Sequence, residues 1–277
     1  MSTVPTAGLP LVAAAALWGA VAGASLPRAA YRFSVPSGEA WRGRCPGGHP
    51  VRGWIGRGRC GQCAATPAGD PAATLAGGPA VIPAGDPAAT PAGDGASYGP
   101  RTLPAAVATA LVCAALAAAT GARPELAVWL LLAPVGVLLA AVDFRVRRLP
   151  DVLTLPLAGA ALALLGLATL VPGHAGHWPT ALYGAFALGG GYFVLFLVNP
   201  AGMGFGDVKL ALGAGAVLGW YGWPTVMLGT FAGFLFGALY GGALVVVRRA
   251  GRRTAIAFGP FLLAGAFTGV LIGAYAT

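Results

Sequence analysis

Apolar residues run along this chain in stretches of about 20, separated by short polar turns. They do not alternate with polar residues. Runs of that length, without a period of two, predict membrane-crossing helices and argue against a closed barrel. The first run covers about Gly8 to Ala24. Seven more follow, at roughly 103–121, 126–142, 152–171, 180–198, 208–221, 224–247 and 255–275. The span at 208–221 is short. A Gly-rich stretch precedes it, and Tyr221-Gly222-Trp223-Pro224 follows, where Pro224 suits the start of the next helix. The expected fold is all-α: a polytopic membrane helix bundle of about eight transmembrane helices, with a small cytoplasmic loop that contains cysteines.

Residues 27–101 form the one long polar segment. Within it, residues 39–63 hold three Cys and five Arg. The stretch 64–100 is low in complexity: Pro67 to Thr74 reads PAGDPAAT, Pro83 to Thr90 repeats it, and Pro91 begins it again. Rich in Pro and Gly and poor in large apolar residues, it buries too little to offset its ordering entropy, and a disordered insert is expected. A solenoid is the weaker alternative, because the unit is short and imperfect. The chain divides into a first transmembrane helix (1–26), a Cys/His loop (27–63), the insert (64–100) and a membrane domain (101–277).

Composition narrows the class. The 277 residues are 57% hydrophobic and 9% charged, with a mean hydropathy of +0.76, which excludes an ordinary soluble domain. The net charge of +9 rests on 16 Arg and one Lys. Such a balance raises nucleic acid as a partner, but the Arg residues flank apolar runs, which reads as membrane orientation; no nucleic-acid partner is expected. Residues 1–7 carry no positive charge, and Arg28 and Arg32 follow the first run, which favours a retained helix over a signal peptide. With the N-terminus outside, segments 25–102, 143–151, 199–209 and 248–254 lie inside. They hold every Lys and Arg except Arg123, a ratio of 16 to 1. The expected location is the plasma membrane, multi-pass, with both termini outside. Arg248, Arg249, Arg252 and Arg253 would then meet anionic lipid headgroups.

Only eight residues are acidic. Glu39, Asp70, Asp86 and Asp94 belong to the long inner loop, and Glu125 to an outer turn. Asp143, Asp151 and Asp207 remain for the helical body, all at inner helix ends. Asp143 closes the third span. Asp207 lies in Gly202-Met203-Gly204-Phe205-Gly206-Asp207-Val208-Lys209, which opens the sixth. Two spans separate them, one out and one back, so both carboxylates return to the cytoplasmic side. Ionisable groups at membrane depth are costly and mark function. Two carboxylates close together share a proton, so one can take a proton from water while the other protonates a carbonyl. From these residues alone, a catalytic pair and an ion- or proton-coupled transporter both stay open. No inverted repeat relates the two halves, which speaks against the transporter.

The neighbouring residues have bland and sharp readings. Gly202, Gly204 and Gly206 would let an extended substrate approach the backbone. Asp151, after Pro150, is either a helix cap or a substrate contact. Lys209 cannot face Asp207 from two residues away on a helix, and would meet a lipid phosphate or substrate. Gly259-Pro260 is a kink or a substrate-facing turn. Cys113 is a small packing residue, and His174 and His177, in an outer loop, are not expected to bind metal.

Three of these stretches resemble the type IV prepilin peptidases. GMGFGDVKL is similar to that family's glycine-x-glycine-Asp signature. Asp143 followed by Arg148-Leu149-Pro150-Asp151-Val152-Leu153-Thr154-Leu155-Pro156 is similar to its Asp and Pro-Asp-x-Leu-Thr-Leu-Pro. Phe258-Gly259-Pro260-Phe261-Leu262 is similar to its Phe-Gly-Pro-Phe. The match covers residues 140–265 in the family's order. The resemblance implies an eight-helix intramembrane aspartic endopeptidase with Asp143 and Asp207 as catalytic residues. Gly204, Gly206, Asp151, Lys209, Gly259 and Pro260 would bind or support the substrate. The implied substrates are prepilins or pseudopilins, cut on the cytoplasmic side before the hydrophobic helix. Many members also N-methylate the new terminus with S-adenosylmethionine.

The family often carries two Cys pairs on the inner side, read as a zinc module. Here Cys60-Gly61-Gln62-Cys63 is one pair, and Cys45 stands without its partner because position 48 is Gly. His49 is adjacent, and Cys45, His49, Cys60 and Cys63 would make an ordinary Cys3His set for structural zinc. A decayed site is the alternative, and it leaves methylation the activity most open to doubt.

Overall fold

The computed structural model describes residues 8–36, 38–65, 97–200, 202–247 and 257–277. Most of the 64–100 insert and the four arginines at 248–253 lie outside the described residues. The described chain is helical: α1 Gly8–Phe33, α2 Gly61–Ala65, α3 Thr102–Thr120, α4 Glu125–Val146, α5 Asp151–Ala168, α6 Trp178–Val198, α7 Phe205–Trp220, α8 Trp223–Val246 and α9 Gly259–Ala276. Seven of these are long and apolar enough to cross a membrane. The exceptions are α2, with five residues, and α7, whose 16 residues span about 24 Å. The all-α polytopic bundle expected from the runs is therefore the observed fold. The first helix is longer than its apolar run, because α1 continues through Pro27 to Phe33.

The short helix is the centre of the bundle. α7 buries Val208, Leu210, Ala211, Ala214, Ala216 and Leu218 and ends on the fully buried Trp220. In lipid no hydrophobic force drives helices together, so close backbone approach across small residues holds them. Gly184 of α6 faces Gly215 and Gly219 of α7: a Cβ on Gly184 would lie 2.5 Å from the Gly215 carbonyl oxygen and 2.9 Å from the Gly219 Cα. Gly229 and Gly233 of α8 meet Gly265 and Gly269 of α9 in the same way. Gly19 and Gly23 of α1 meet Thr109 and Ala105 of α3.

These crossings predict a steric effect. Gly184→Leu must push α6 off α7 and is expected to destabilise the bundle by about 1–3 kcal/mol through overpacking. Thermal unfolding in detergent checks it: the midpoint should fall, whereas Gly190→Leu, where a Cβ meets nothing within 4 Å, should leave it unchanged.

The loop after α1 is stitched to that helix by arginines. Arg28 Nη1 donates to the carbonyls of Arg52 and Ile55 (3.0 and 3.1 Å), and Arg32 Nη1 to that of Gly53 (2.7 Å). Arg32 also lies over the Trp54 ring, which stacks on Phe33. Arg148, in the turn between α4 and α5, donates to the Pro36 carbonyl at 2.7 Å and faces Trp41. The Cys/His loop thus packs against the end of the bundle that carries Asp143, Asp151 and Asp207.

Candidate active site

Asp143 lies one turn from the end of α4 and is 4% exposed. Its Oδ2 accepts the Gly259 backbone N–H at 3.1 Å, at the start of α9. Asp207 is the third residue of α7 and is 7% exposed. Its Oδ2 accepts the Gly204 backbone N–H at 3.1 Å, while its own N–H donates to the Gly204 carbonyl at 3.0 Å. Each carboxylate is anchored by one backbone amide at a helix start. The charge of Asp143 reaches Asp207. The two carboxylates come to one end of the bundle, where the ends of α4, α7 and α9 meet around Leu149.

Leu149 wedges the parts together. The chain leaves α4 through Arg147, the one described non-glycine residue with positive φ (51°), whose N–H caps the Asp143 carbonyl at 2.8 Å. That turn drops Leu149 inward, where it is 6% exposed. A Cβ on Gly206 would lie 2.9 Å from the Leu149 Cβ, and a Cβ on Gly259 would lie 3.3 Å from its Cδ1. Gly206 therefore makes room for the chain's own leucine, and Gly202 for the Asn199 side chain. Both glycines thus have a packing reason of their own, apart from any approach of a substrate backbone. Gly204 serves through its N–H.

Asp151 starts α5 but makes no capping hydrogen bond, so the expected cap is not formed. Its Oδ2 instead pairs with Lys209 Nζ at 2.7 Å, tying α5 to α7. Lys209 also sits 4.8 Å from the Phe205 ring. With Asp151 largely exposed, the pair contributes little stability, in the range of about 0–1 kcal/mol. Its use is positional: it holds the first turn of α7, where Asp207 sits.

An apolar cavity of about 310 Å³ opens between α3, α4, α5, α7 and α9. Ala140, Leu210 and Pro260 are among its walls, each within three residues of Asp143, Asp207 or Gly259. It runs from these walls into the bundle as far as Val217 and Val270.

At the same end of the bundle, Cys45, His49, Cys60 and Cys63 converge, with one ligand atom from each all within 4.8 Å of one another. Cys45 Sγ lies 3.6 Å from Cys63 Sγ and 3.7 Å from His49 Nδ1; His49 Nδ1 lies 3.1 Å from Cys63 Sγ and 3.7 Å from Cys60 Sγ. Bonds of about 2.0–2.3 Å to a tetrahedral zinc separate ligand atoms by about 3.3–3.8 Å, so the set fits. The Cys63 backbone N–H lowers the Cys60 thiol to about 6, while desolvation pushes Cys63 up to about 12. The loop backbone closes the site through Cys45 N–H to the His49 carbonyl at 2.9 Å.

Beside Cys60 a pocket of about 460 Å³ is lined by Arg28, Arg52, Arg59, Gln62 and Tyr98. Three guanidinium groups suit the carboxylate of S-adenosylmethionine but oppose its sulfonium, so this pocket does not fit that cofactor. At the opposite end, Glu125 opens α4. It is fully buried, and its Oε1 accepts the Ala175 N–H at 3.2 Å. His174 there pairs with the Gly176 carbonyl and lies against Trp220. Cys113 is fully buried between helices, as its packing role requires.

Fold and site define a polytopic helical membrane protein with two carboxylates buried together at one end of the bundle. The comparisons make the class more specific. Residues 130–242 match the model of the type IV leader peptidase family. A prepilin leader peptidase/N-methyltransferase of Burkholderia pseudomallei (strain 1026b) is 33% identical over 269 residues, covering 90% of this chain and 71% of that protein. Proteins of the same name from Aeromonas salmonicida (strain A449) and Escherichia coli (strain K12) are each 37% identical. The first match covers 52% of this chain and 48% of the relative, the second 46% and 55%. The chain thus spans about half the length of several curated relatives that it matches. No solved structure matches it. The chain belongs to the type IV leader peptidase family.

Proposed function

We propose that the chain is an intramembrane aspartic endopeptidase that removes the leader from type IV prepilin or pseudopilin precursors. The observation that carries this reading is the pair Asp143 and Asp207, each buried and each held by a single backbone amide at the same end of the bundle. Such a pair holds one proton between two groups. One carboxylate takes a proton from water as it attacks the peptide carbonyl, and the other gives its proton to the carbonyl oxygen. The apolar cavity beside the pair receives apolar side chains of the substrate. In this reading the carboxylates face the cytoplasm, in the cytoplasmic membrane with both termini outside, and the 16-to-1 distribution of Lys and Arg supports that orientation.

Co-expression with a prepilin in cells lacking their own leader peptidase tests the proposal. The expected result is a shortened pilin cut before its apolar segment. Intact precursor together with chain-dependent solute flux would favour the transporter. The relatives' names include N-methyltransferase, and the same product's mass reads that activity as one added methyl group.

We further propose that Cys45, His49, Cys60 and Cys63 hold one structural zinc, which fastens the loop beside the site. The metal would supply cross-linking of the loop and no step of hydrolysis. Elemental analysis of the purified chain is expected to give one zinc per chain, falling to none in the Cys60→Ser, Cys63→Ser double variant. A double variant that retains stoichiometric zinc, or a wild-type chain without it, would contradict the site.

A further inference from the structure

Tyr192 is a buried polar side chain near Asp207 that the reaction described above leaves unused. It lies on α6, is 1% exposed, and its hydroxyl is buried without a hydrogen-bond partner among the described residues. A buried tyrosine ordinarily spends its hydroxyl on a partner, since stripping it of water otherwise costs free energy. Here the ring cannot swing away to find one. It stacks on Phe234 of α8 with centroids 5.8 Å apart and an interplanar angle of 25°, and tilts against Phe258 at 5.9 Å. Phe258 and Phe234 meet each other at 5.3 Å.

Those contacts place Tyr192 in one packed cluster with Leu149, Phe258 and Val208, the residue after Asp207. Phe258 immediately precedes Gly259, whose N–H anchors Asp143. Tyr192 and Asp207 interact electrostatically across the α6–α7 contact. One turn before Tyr192, Gly189 gives way to Leu212 of α7, and Gly184 meets Gly215, so α6 lies against the helix that carries Asp207 at close backbone distance. The result is a fixed donor, already desolvated, on the Asp207 side of the site. Such preorganised donors stabilise charge that develops on a carbonyl oxygen.

We propose that the Tyr192 hydroxyl donates a hydrogen bond to the scissile carbonyl oxygen of the bound substrate, strengthening as that carbonyl becomes tetrahedral. The proposal rests on the peptidase reading and deepens it. The balance of the step is that of a carboxylate pair. Water oxygen bonds to the carbonyl carbon, its proton passes to one carboxylate, and the proton on the other passes to the carbonyl oxygen, giving a neutral diol. The diol then returns a proton to the pair as the C–N bond breaks and the nitrogen takes one. Tyr192 keeps its proton throughout.

The test is Tyr192→Phe in vesicles containing the full chain, because Phe keeps the ring and removes only the hydroxyl. The expected result is a kcat lower by about 10²-fold, with KM within about twofold and an unchanged unfolding midpoint. Two substrate-like inhibitors separate chemistry from packing. One carries a hydroxyl at the scissile position, mimicking the diol; the other is a reduced amide without it. The hydroxyl-bearing inhibitor should bind the variant at least tenfold more weakly, and the reduced amide equally well. An unchanged kcat, or equal losses for both inhibitors together with a lower midpoint, would overturn the role of Tyr192 while leaving the peptidase standing. A wild-type chain that cuts no precursor would overturn the peptidase reading and this role with it.

Discussion

Replacing either Asp143 or Asp207 by Asn is expected to lower the cleavage rate by at least about 10³-fold while leaving the bundle folded. General acid–base catalysis is worth about 10²–10⁴-fold for one positioned group, and here neither group works without the other's proton. Stability should not fall. Both carboxylates are buried in an apolar bundle, where charge is expensive, and each makes one described hydrogen bond as an acceptor. An Asn carbonyl oxygen accepts the same N–H without carrying charge. Unfolding midpoints of both variants should match or exceed that of the wild type, the usual trade of stability against function at an active site. The pair also predicts a bell-shaped pH profile, because activity is lost when both groups are protonated and when both are ionised. A midpoint several degrees lower in either variant would mark that Asp as structural.

Gly259→Ala is expected to reduce cleavage by about 10²-fold without touching either acid. A Cβ at this position would lie 2.7 Å from Asp143 Oδ2 and 3.3 Å from the Leu149 Cδ1. The carboxylate must retreat, and its 3.1 Å hydrogen bond from the Gly259 N–H stretches or breaks. A displacement of about 1 Å at a reacting group costs about 10²-fold in rate. Pairing Gly259→Ala with Leu149→Ala separates the two contacts. If crowding against Leu149 were the cause, the smaller residue would restore the rate; displacement of Asp143 predicts no recovery. Steady-state cleavage of a precursor peptide, with wild type and both variants at equal concentration, reads the difference.

Much of this arrangement is legible in the residues themselves. Run lengths near 20 give the spans, and the count of Lys and Arg gives a common side for Asp143 and Asp207. The short run at 208–221 is α7, the buried centre of the bundle, and its shortness is the signal that it is not a lipid-facing helix. The glycines were harder to read. Three glycines in Gly202-Met203-Gly204-Phe205-Gly206 suggest a surface for a substrate, yet two of them yield to Asn199 and Leu149. That exchange depends on which residues meet across the bundle, which no local pattern reveals. Leu149 itself looks like an ordinary residue before a proline; its burial follows a left-handed turn at Arg147 that the local sequence does not announce.

Other features carried a signal that span counting does not use. Glycines four apart at 215 and 219, 229 and 233, and 265 and 269 mark close helix crossings. They would have paired α6 with α7 and α8 with α9. Tyr192 gave no local sign, since one Tyr in an apolar run reads as an interface residue or a packing aromatic. Arg28 and Arg32 were legible as orientation charges, but their carbonyl partners in residues 52–55 show a second use in holding the loop. The convergence of Cys45, His49, Cys60 and Cys63 followed from spacing and chemistry together, and there the incomplete first pair was made good by the neighbouring His.

The central claim is that Asp143 and Asp207 together cut a precursor. The most direct measurement is the intact mass of a purified prepilin precursor incubated in vesicles with the wild-type chain or with the Asp143→Asn, Asp207→Asn double variant. The account predicts one shortened product, cut ahead of the apolar segment, with the wild type, and unchanged precursor with the double variant. The same shortened product from the double variant would contradict it.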